Sequence, residues 1–158
     1  MTNLLVNIDV DNIERAILFY QQAFGLTVGR WLAKDAVELL GLDCPLYLLQ
    51  KDPATQPCPN TDARRIYSRH WTPVHLDIIV SDIESAITAA VKAGAQVETR
   101  NDAPWGRIAT LADPFGHGFC LLQFIGGGYD VISNEQFRYE TSHGECQYSQ
   151  EKDCSEDK

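Results

Sequence analysis

Residues Leu5 to Tyr20, LVNIDVDNIERAILFY, return in altered form as His75 to Ala90, HLDIIVSDIESAITAA. An offset of seventy aligns Ile8 with Ile78, Val10 with Val80, Asn12 with Asp82, Ile13 with Ile83, Glu14 with Glu84, Ala16 with Ala86 and Ile17 with Ile87. A second phrase repeats as well, YLLQ at 47–50 returning as CLLQ at 120–123. Self-similarity of this kind marks a duplicated structural unit. The expected organisation is a first module over 1–50, a linker over 51–70, a second module over 71–125 and a tail over 126–158.

Within the first copy, residues 4–10 alternate. Val6, Ile8 and Val10 share one face, and Leu5, Asn7 and Asp9 share the other, the pattern of a strand covered by a helix on one side. Asp11 offers an N-cap and Glu14 the return half of a capping box. Ile13, Ala16, Ile17, Tyr20 and Phe24 then recur at helical spacing over 12–24, and Gly25 suits the helix end. Strands are expected at 26–33, 35–41 and 46–50, which makes the module βαβββ. Pro53, Pro57 and Pro59 mark 51–70 as a linker or functional loop.

The second copy repeats the plan. Val74, Leu76, Ile78 and Val80 face the helix side, with His75, Asp77 and Ile79 opposite. Ser81 and Glu84 form a capping box, a helix runs over 82–93 to Gly94, and strands follow at 96–100, 107–112 and 118–125. Asp113-Pro114-Phe115-Gly116 is strong turn chemistry between the last two. Beyond Gly126-Gly127-Gly128 the chain turns polar and acidic, so a flexible tail is expected, loose after about residue 133.

Thirteen Lys and Arg against twenty-two Asp and Glu give a formal charge of -9. That balance repels phosphate backbones and argues against nucleic acid as a partner. No apolar run reaches the roughly 18 residues of a membrane span, and the N-terminus lacks the basic start and apolar core of a secretion signal. A cytoplasmic protein without a membrane partner is expected. Five cysteines without a CxxC pair suggest reduced thiols, neither a disulfide framework nor a zinc ribbon. His143, Cys146 and Cys154 in the tail suggest no defined metal site.

Two βαβββ modules, the signature VSDIESA at 80–86, Trp105-Gly106 and DPFGHG at 113–118 resemble the vicinal oxygen chelate superfamily. That superfamily includes glyoxalase I, extradiol dioxygenases, fosfomycin resistance enzymes and bleomycin resistance proteins. The likeness covers about Asn3 to Phe124 and implies an α+β fold in which the strands of two modules curl as a mixed sheet around a cleft, helices outside. In the enzymes of the family a divalent metal sits in that cleft. Its ligands come from the first and last strands of each module, places that fall here on Leu5, Tyr47, His75 and Cys120.

Leu5 has no lone pair, and Tyr47 would have to lose a proton whose reference pKa is near 10. His75 with Cys120 makes two ligands where catalytic zinc usually keeps three. The resemblance therefore points toward the metal-lacking, bleomycin-resistance-like members, which bind ligand between modules, commonly as homodimers. It implies a metal-independent protein of antibiotic-resistance type, without a cofactor, that sequesters a cationic or aromatic small molecule. The ligand-binding residues expected are Asn7, Asp9, Tyr47, His75, Asp77, Trp105, Cys120, Leu122 and Phe124, with Leu5 and Leu49 also facing the cleft.

Single residues have plainer readings too. His75 reads as a buried histidine bonded to Asp77, Asp9 or a carbonyl as readily as a donor to ligand. Asp9 and Asp77, taken as equivalent places in the two repeats, are read either as an acid/base pair facing across the cleft or as solvated carboxylates. Cys120 reads as a small buried apolar residue, and Trp105 as a stacking surface or a cap on the core. His117 reads as part of the DPFGHG turn, and Arg64, Arg65, Arg69 and His70 as a solvated basic loop or a closure over an anion. A lyase or dioxygenase with an atypical site around His75 is the alternative activity, and a ligand-sensing module that contacts a partner protein through the acidic tail is the third.

Overall fold

The computed structural model describes residues 2–133. Each module folds as strand, helix and three strands: β1 (Val6–Val10), α1 (Ile13–Phe24), β2 (Thr27–Ala33), β3 (Ala36–Leu40) and β4 (Leu46–Gln50), then β5 (Leu76–Ile79), α2 (Ile83–Ala93), β6 (Gln96–Ala103), β7 (Gly106–Ala112) and β8 (Gly118–Phe124). The strand orders are β1-β4-β3-β2 and β5-β8-β7-β6. In each sheet the first strand runs parallel to the last and the remaining pairs are antiparallel. The fold is α+β, two open four-stranded mixed sheets each carrying one helix.

The two registers correspond. Val6 pairs with Leu46 and Asn7 with Tyr47 in the first sheet; Leu76 pairs with Phe119 and Asp77 with Cys120 in the second. The counterpart of Asp77 is therefore Asn7. Asp9 corresponds to Ile79, and the expected equivalence of Asp9 with Asp77 is corrected, because the offset of seventy carries through the whole strand.

Both helices start one residue later than the capping boxes predict. Asn12 Oδ1 accepts the Arg15 amide at 2.9 Å, and Asp82 Oδ1 accepts the Glu84 and Ser85 amides at 3.0 and 3.3 Å. The repeated glutamine explains the shift. Gln50 Oε1 takes the Ile13 amide at 3.0 Å and Gln123 Oε1 takes the Ile83 amide at 3.1 Å, so the neighbouring strand holds the first free N–H of each helix. Gln123 Nε2 also donates to the Ser81 carbonyl at 2.9 Å.

Val10, Val37, Leu39, Leu46, Leu48, Ala109, Leu111, Phe119 and Leu121 form the sheet side of the core. Ile13, Ala16, Phe19, Tyr20, Ile83, Ile87 and Ala90 pack on it from the helices. Val74 is an exception to the predicted alternation: it is exposed, because β5 begins only at Leu76. The modules meet through α1, α2 and the turn after β7. Arg15 donates to the Pro114 carbonyl at 3.3 Å, the Phe24 and Phe119 rings lie 5.4 Å apart edge to face, and Tyr20 donates its hydroxyl to Asp113 at 2.9 Å.

The linker is not a free strap. Ala54 and Arg65 close it with paired backbone hydrogen bonds involving Thr55, and Ser68 to Trp71 lie across the DPFGHG turn. A Cβ at Gly116 would sit 2.1 Å from the Ser68 carbonyl, and one at Gly118 would sit 2.5 Å from the Trp71 ring. The two glycines of that phrase make room for the linker. After β8 the chain continues into a 3-10 turn, Gly128–Val131, which packs Tyr129 on Phe124 and Trp105 at 4.8 and 5.0 Å, ahead of the loose tail expected after about residue 133. The rest of the predicted tail, with His143, Cys146 and Cys154, lies outside the described residues.

Candidate functional site

Strand alternation turns one side of each sheet away from its helix. On the first sheet that side carries Asn7, Asp9, Tyr47, Leu49 and Glu38; on the second it carries Asp77, Ile79, Cys120, Leu122 and Phe124. Cys120 and Leu122 are almost fully buried, yet neither belongs to the core cluster beneath the helices. They form an apolar floor on the far side of β8, bordered by the exposed His75, Asp77 and Ile79.

His75, Asp77 and Cys120 come together. His75 Nε2 lies 3.2 Å from Asp77 Oδ1, and one donor atom from each of the three residues lies within 4.8 Å of the others. His75 is exposed rather than buried, with the Trp71 ring stacked 4.7 Å away at 38°. Burial pushes the Cys120 thiol up, the Asp77 charge adds to the rise, and the Thr110 hydroxyl 3.7 Å away works against it. The thiol is neutral at neutral pH, as a packed cysteine is.

The matching place in the first module is built differently. Tyr47 donates to Glu38 Oε1 at 2.7 Å, and Arg30 clamps the same carboxylate through Nη2 and Nε at 2.7 and 3.0 Å. The bonds from Arg30 and Tyr47 hold the Glu38 carboxyl well below the usual range, at about 2, while the Glu38 bond and burial raise the Tyr47 hydroxyl. Leu5 is exposed. Glu38 and Arg30 were missed from sequence; the signal was a lone glutamate in the otherwise apolar run AVELL.

Asp9 and Asp77 are not brought together as a pair. Asp9 accepts Arg65 Nε at 2.7 Å, and Asp77 takes His75. The Trp105 ring lies 6.2 Å from Phe124 and 5.0 Å from Tyr129, and this aromatic trio packs on itself.

The family metal does not fit its four usual places here. Leu5 offers no donor, and the Tyr47 hydroxyl is spent on Glu38 and held protonated. What remains is a three-donor set within one module, His75, Asp77 and Cys120, with Asp77 supplying the ligand that a count of His75 and Cys120 alone lacks.

Paired βαβββ modules with parallel outer strands and a polar cluster on the face away from the helices define a glyoxalase-type fold. The family model for a glyoxalase-like domain matches residues 5–122. An uncharacterised protein of Mycobacterium bovis is 33% identical over 123 residues, covering 72% of this chain and 78% of its own length. Among solved structures, TnmS3, an antibiotic-binding protein from Streptomyces sp. CB03234, superimposes with a TM-score of 0.57 at 22% identity, over 79% of this chain and 97% of its own. The fosfomycin resistance protein FosX from Mesorhizobium loti gives 0.59 at 15% identity, over 84% and 97%. The chain belongs to the glyoxalase-like family of the vicinal oxygen chelate superfamily. Among the described residues no helix is long and apolar enough to cross a membrane.

Proposed function

We propose that the protein binds and sequesters a small aromatic or cationic molecule, without a metal, in a cleft completed by a second copy of the chain. The carrying observation is the buried floor of Cys120 and Leu122 ringed by His75, Asp77 and Ile79, an apolar surface with a few fixed polar groups. The second copy is supported by apolar side chains left bare: Leu5, Trp31, Leu32, Trp71 and Ile79 are each at least half exposed and would be covered at such an interface. The likeness to TnmS3, an antibiotic-binding protein, supports a small-molecule ligand. Titration calorimetry against a panel of cationic aromatic compounds, with sedimentation to give the oligomer, tests the reading. Saturable binding by a dimer is expected; no binding by any compound, with stoichiometric metal in the purified protein, overturns it.

One observation favours a second reading, a metal-assisted lyase or dioxygenase. His75, Asp77 and Cys120 supply three donors, the number catalytic zinc keeps. Elemental analysis separates the two, and loss of metal and activity together in His75→Ala would establish the second.

A further inference from the structure

Away from that face, His70 of the linker and His117 of the DPFGHG turn meet ring to ring. His70 Nδ1 lies 2.9 Å from the Ser68 carbonyl, and His117 Nε2 lies 2.8 Å from the Asp9 carbonyl on β1. A carbonyl only accepts, so each of those nitrogens must carry its hydrogen. Neutral rings would then leave His70 Nε2 and His117 Nδ1 as two bare lone pairs, and these face each other at 3.1 Å. Opposed lone pairs at hydrogen-bond distance repel, so the gap needs a positive occupant.

We propose that His70 and His117 share one proton, forming a singly charged latch that ties the linker to the second module's turn and, through the Asp9 carbonyl, to the first module. A proton fits better than a metal ion because the pair gains no third His, Cys, Asp or Glu donor among the described residues. Adding a second proton sets two N–H groups against each other, and removing the first sets two lone pairs against each other.

The groups facing the pair are accounted for. The Tyr67 ring stands edge-on 6.4 Å from His117. Asp113 accepts the His117 amide at 2.9 Å, Arg69 donates to the His70 and Gly116 carbonyls, and the Asp9 carboxylate is already bonded to Arg65. Arg69 in turn holds Glu98. None of these side chains places a carboxylate on the facing nitrogens. The latch matters for the cleft because His70 precedes Trp71, whose ring covers His75.

Nitrogen-15 imidazole spectra of the chelator-treated full chain at about pH 6 test the tautomers directly. The expected spectrum has hydrogens on His70 Nδ1 and His117 Nε2 and one more shared by the facing pair; two neutral rings with both facing nitrogens bare would overturn the proposal. The His70 amide, bonded to the Gly116 carbonyl at 3.0 Å, is the second readout. Its exchange protection, corrected for intrinsic rate, should fall about tenfold in His117→Gln, the loss of one charged hydrogen bond. Protection unchanged in His117→Gln overturns the proposal. So does a zinc titration in which binding is lost in His117→Gln but kept in His75→Ala, since the occupant would then be metal.

Discussion

Replacing Asp113 should expose how the two modules are held together. Its carboxylate is 6% exposed and accepts three hydrogen bonds, from the Tyr20 hydroxyl at 2.9 Å, the Phe115 amide at 2.8 Å and the His117 amide at 2.9 Å. Among the described residues no buried side-chain polar atom lacks a partner. Asp113→Ala would create such an orphan at Tyr20 and free two turn amides. Bonds to a charged group are worth about 1.5–3 kcal/mol each, and an abandoned buried donor costs about 1–3 kcal/mol. These losses overlap, so a net cost of about 3–5 kcal/mol is expected. Asp113→Asn keeps one acceptor oxygen for the amides and turns an NH2 toward a hydroxyl that can accept, which lowers the cost to about 1–2 kcal/mol. Tyr20→Phe removes one of the bonds to the charged carboxylate without orphaning a donor and should cost about 1.5 kcal/mol, the low end of the range for such a bond. Urea denaturation of the three variants and of Tyr20→Phe/Asp113→Asn supplies the cycle, with a coupling of about 1 kcal/mol or more expected. If Asp113→Ala and Asp113→Asn both cost less than about 0.5 kcal/mol, the turn is not the junction described here.

Acid should act through Glu38. Its carboxyl is depressed from the ordinary 4.5 to about 2, so its stabilisation is complete above pH 4.5 and is lost as pH falls through 2; Glu38→Gln should flatten stability in that window, measured by thermal melts at stepped pH. Alkali should act through Tyr67, which burial pushes up to about 12. Stability it supports is intact below pH 10 and falls as pH rises toward 12, a slope that Tyr67→Phe should reduce. Gln50→Ala and Gln123→Ala should each cost about 1 kcal/mol by uncapping one helix, and their effects should add in the double variant. A thiol reagent should modify the exposed Cys58 well before the buried Cys120, whose thiol is neutral; equal rates would show that the floor beneath His75 is open.

Much of the fold could be read from the repeat because period-two and period-3.6 patterns are local. The offset of seventy located both helices within a residue, and the two sheets it implied share one register, with Asn7 rather than Asp9 in the place equivalent to Asp77. What escaped were contacts made at a distance. The capping boxes pointed to Asp11 and Ser81, but Gln50 and Gln123 reach the helix starts from neighbouring strands, and nothing local to the helices signals a glutamine 37 or 40 residues away. The linker was legible as a loop. Its seat on Gly116 and Gly118 was not, since a glycine in a turn looks the same whether it frees the backbone or clears a path for another segment. At the candidate site, alternation put Tyr47, His75, Asp77, Cys120 and Leu122 on the faces away from the helices. It could not foresee that Arg30 and Glu38 occupy Tyr47, or that Asp9 is taken by Arg65.

These pairings divide the work between the modules. On the first face every carboxylate described is already held: Glu38 by Arg30 and Tyr47, Asp9 by Arg65. Displacing either would strip a formed ion pair, so that face offers a ligand shape and apolar surface more readily than charge. On the second face Asp77 lies 3.2 Å from the His75 ring, both remain partly exposed, and they stand over the neutral Cys120. A ligand cation can reach Asp77 by displacing one solvent-exposed imidazole, a smaller loss than a bidentate arginine. If the protein binds a cation as proposed, the cation's charge is therefore expected to be met on the second module. The duplication that made the two faces alike in backbone has left them unlike in what they can bind.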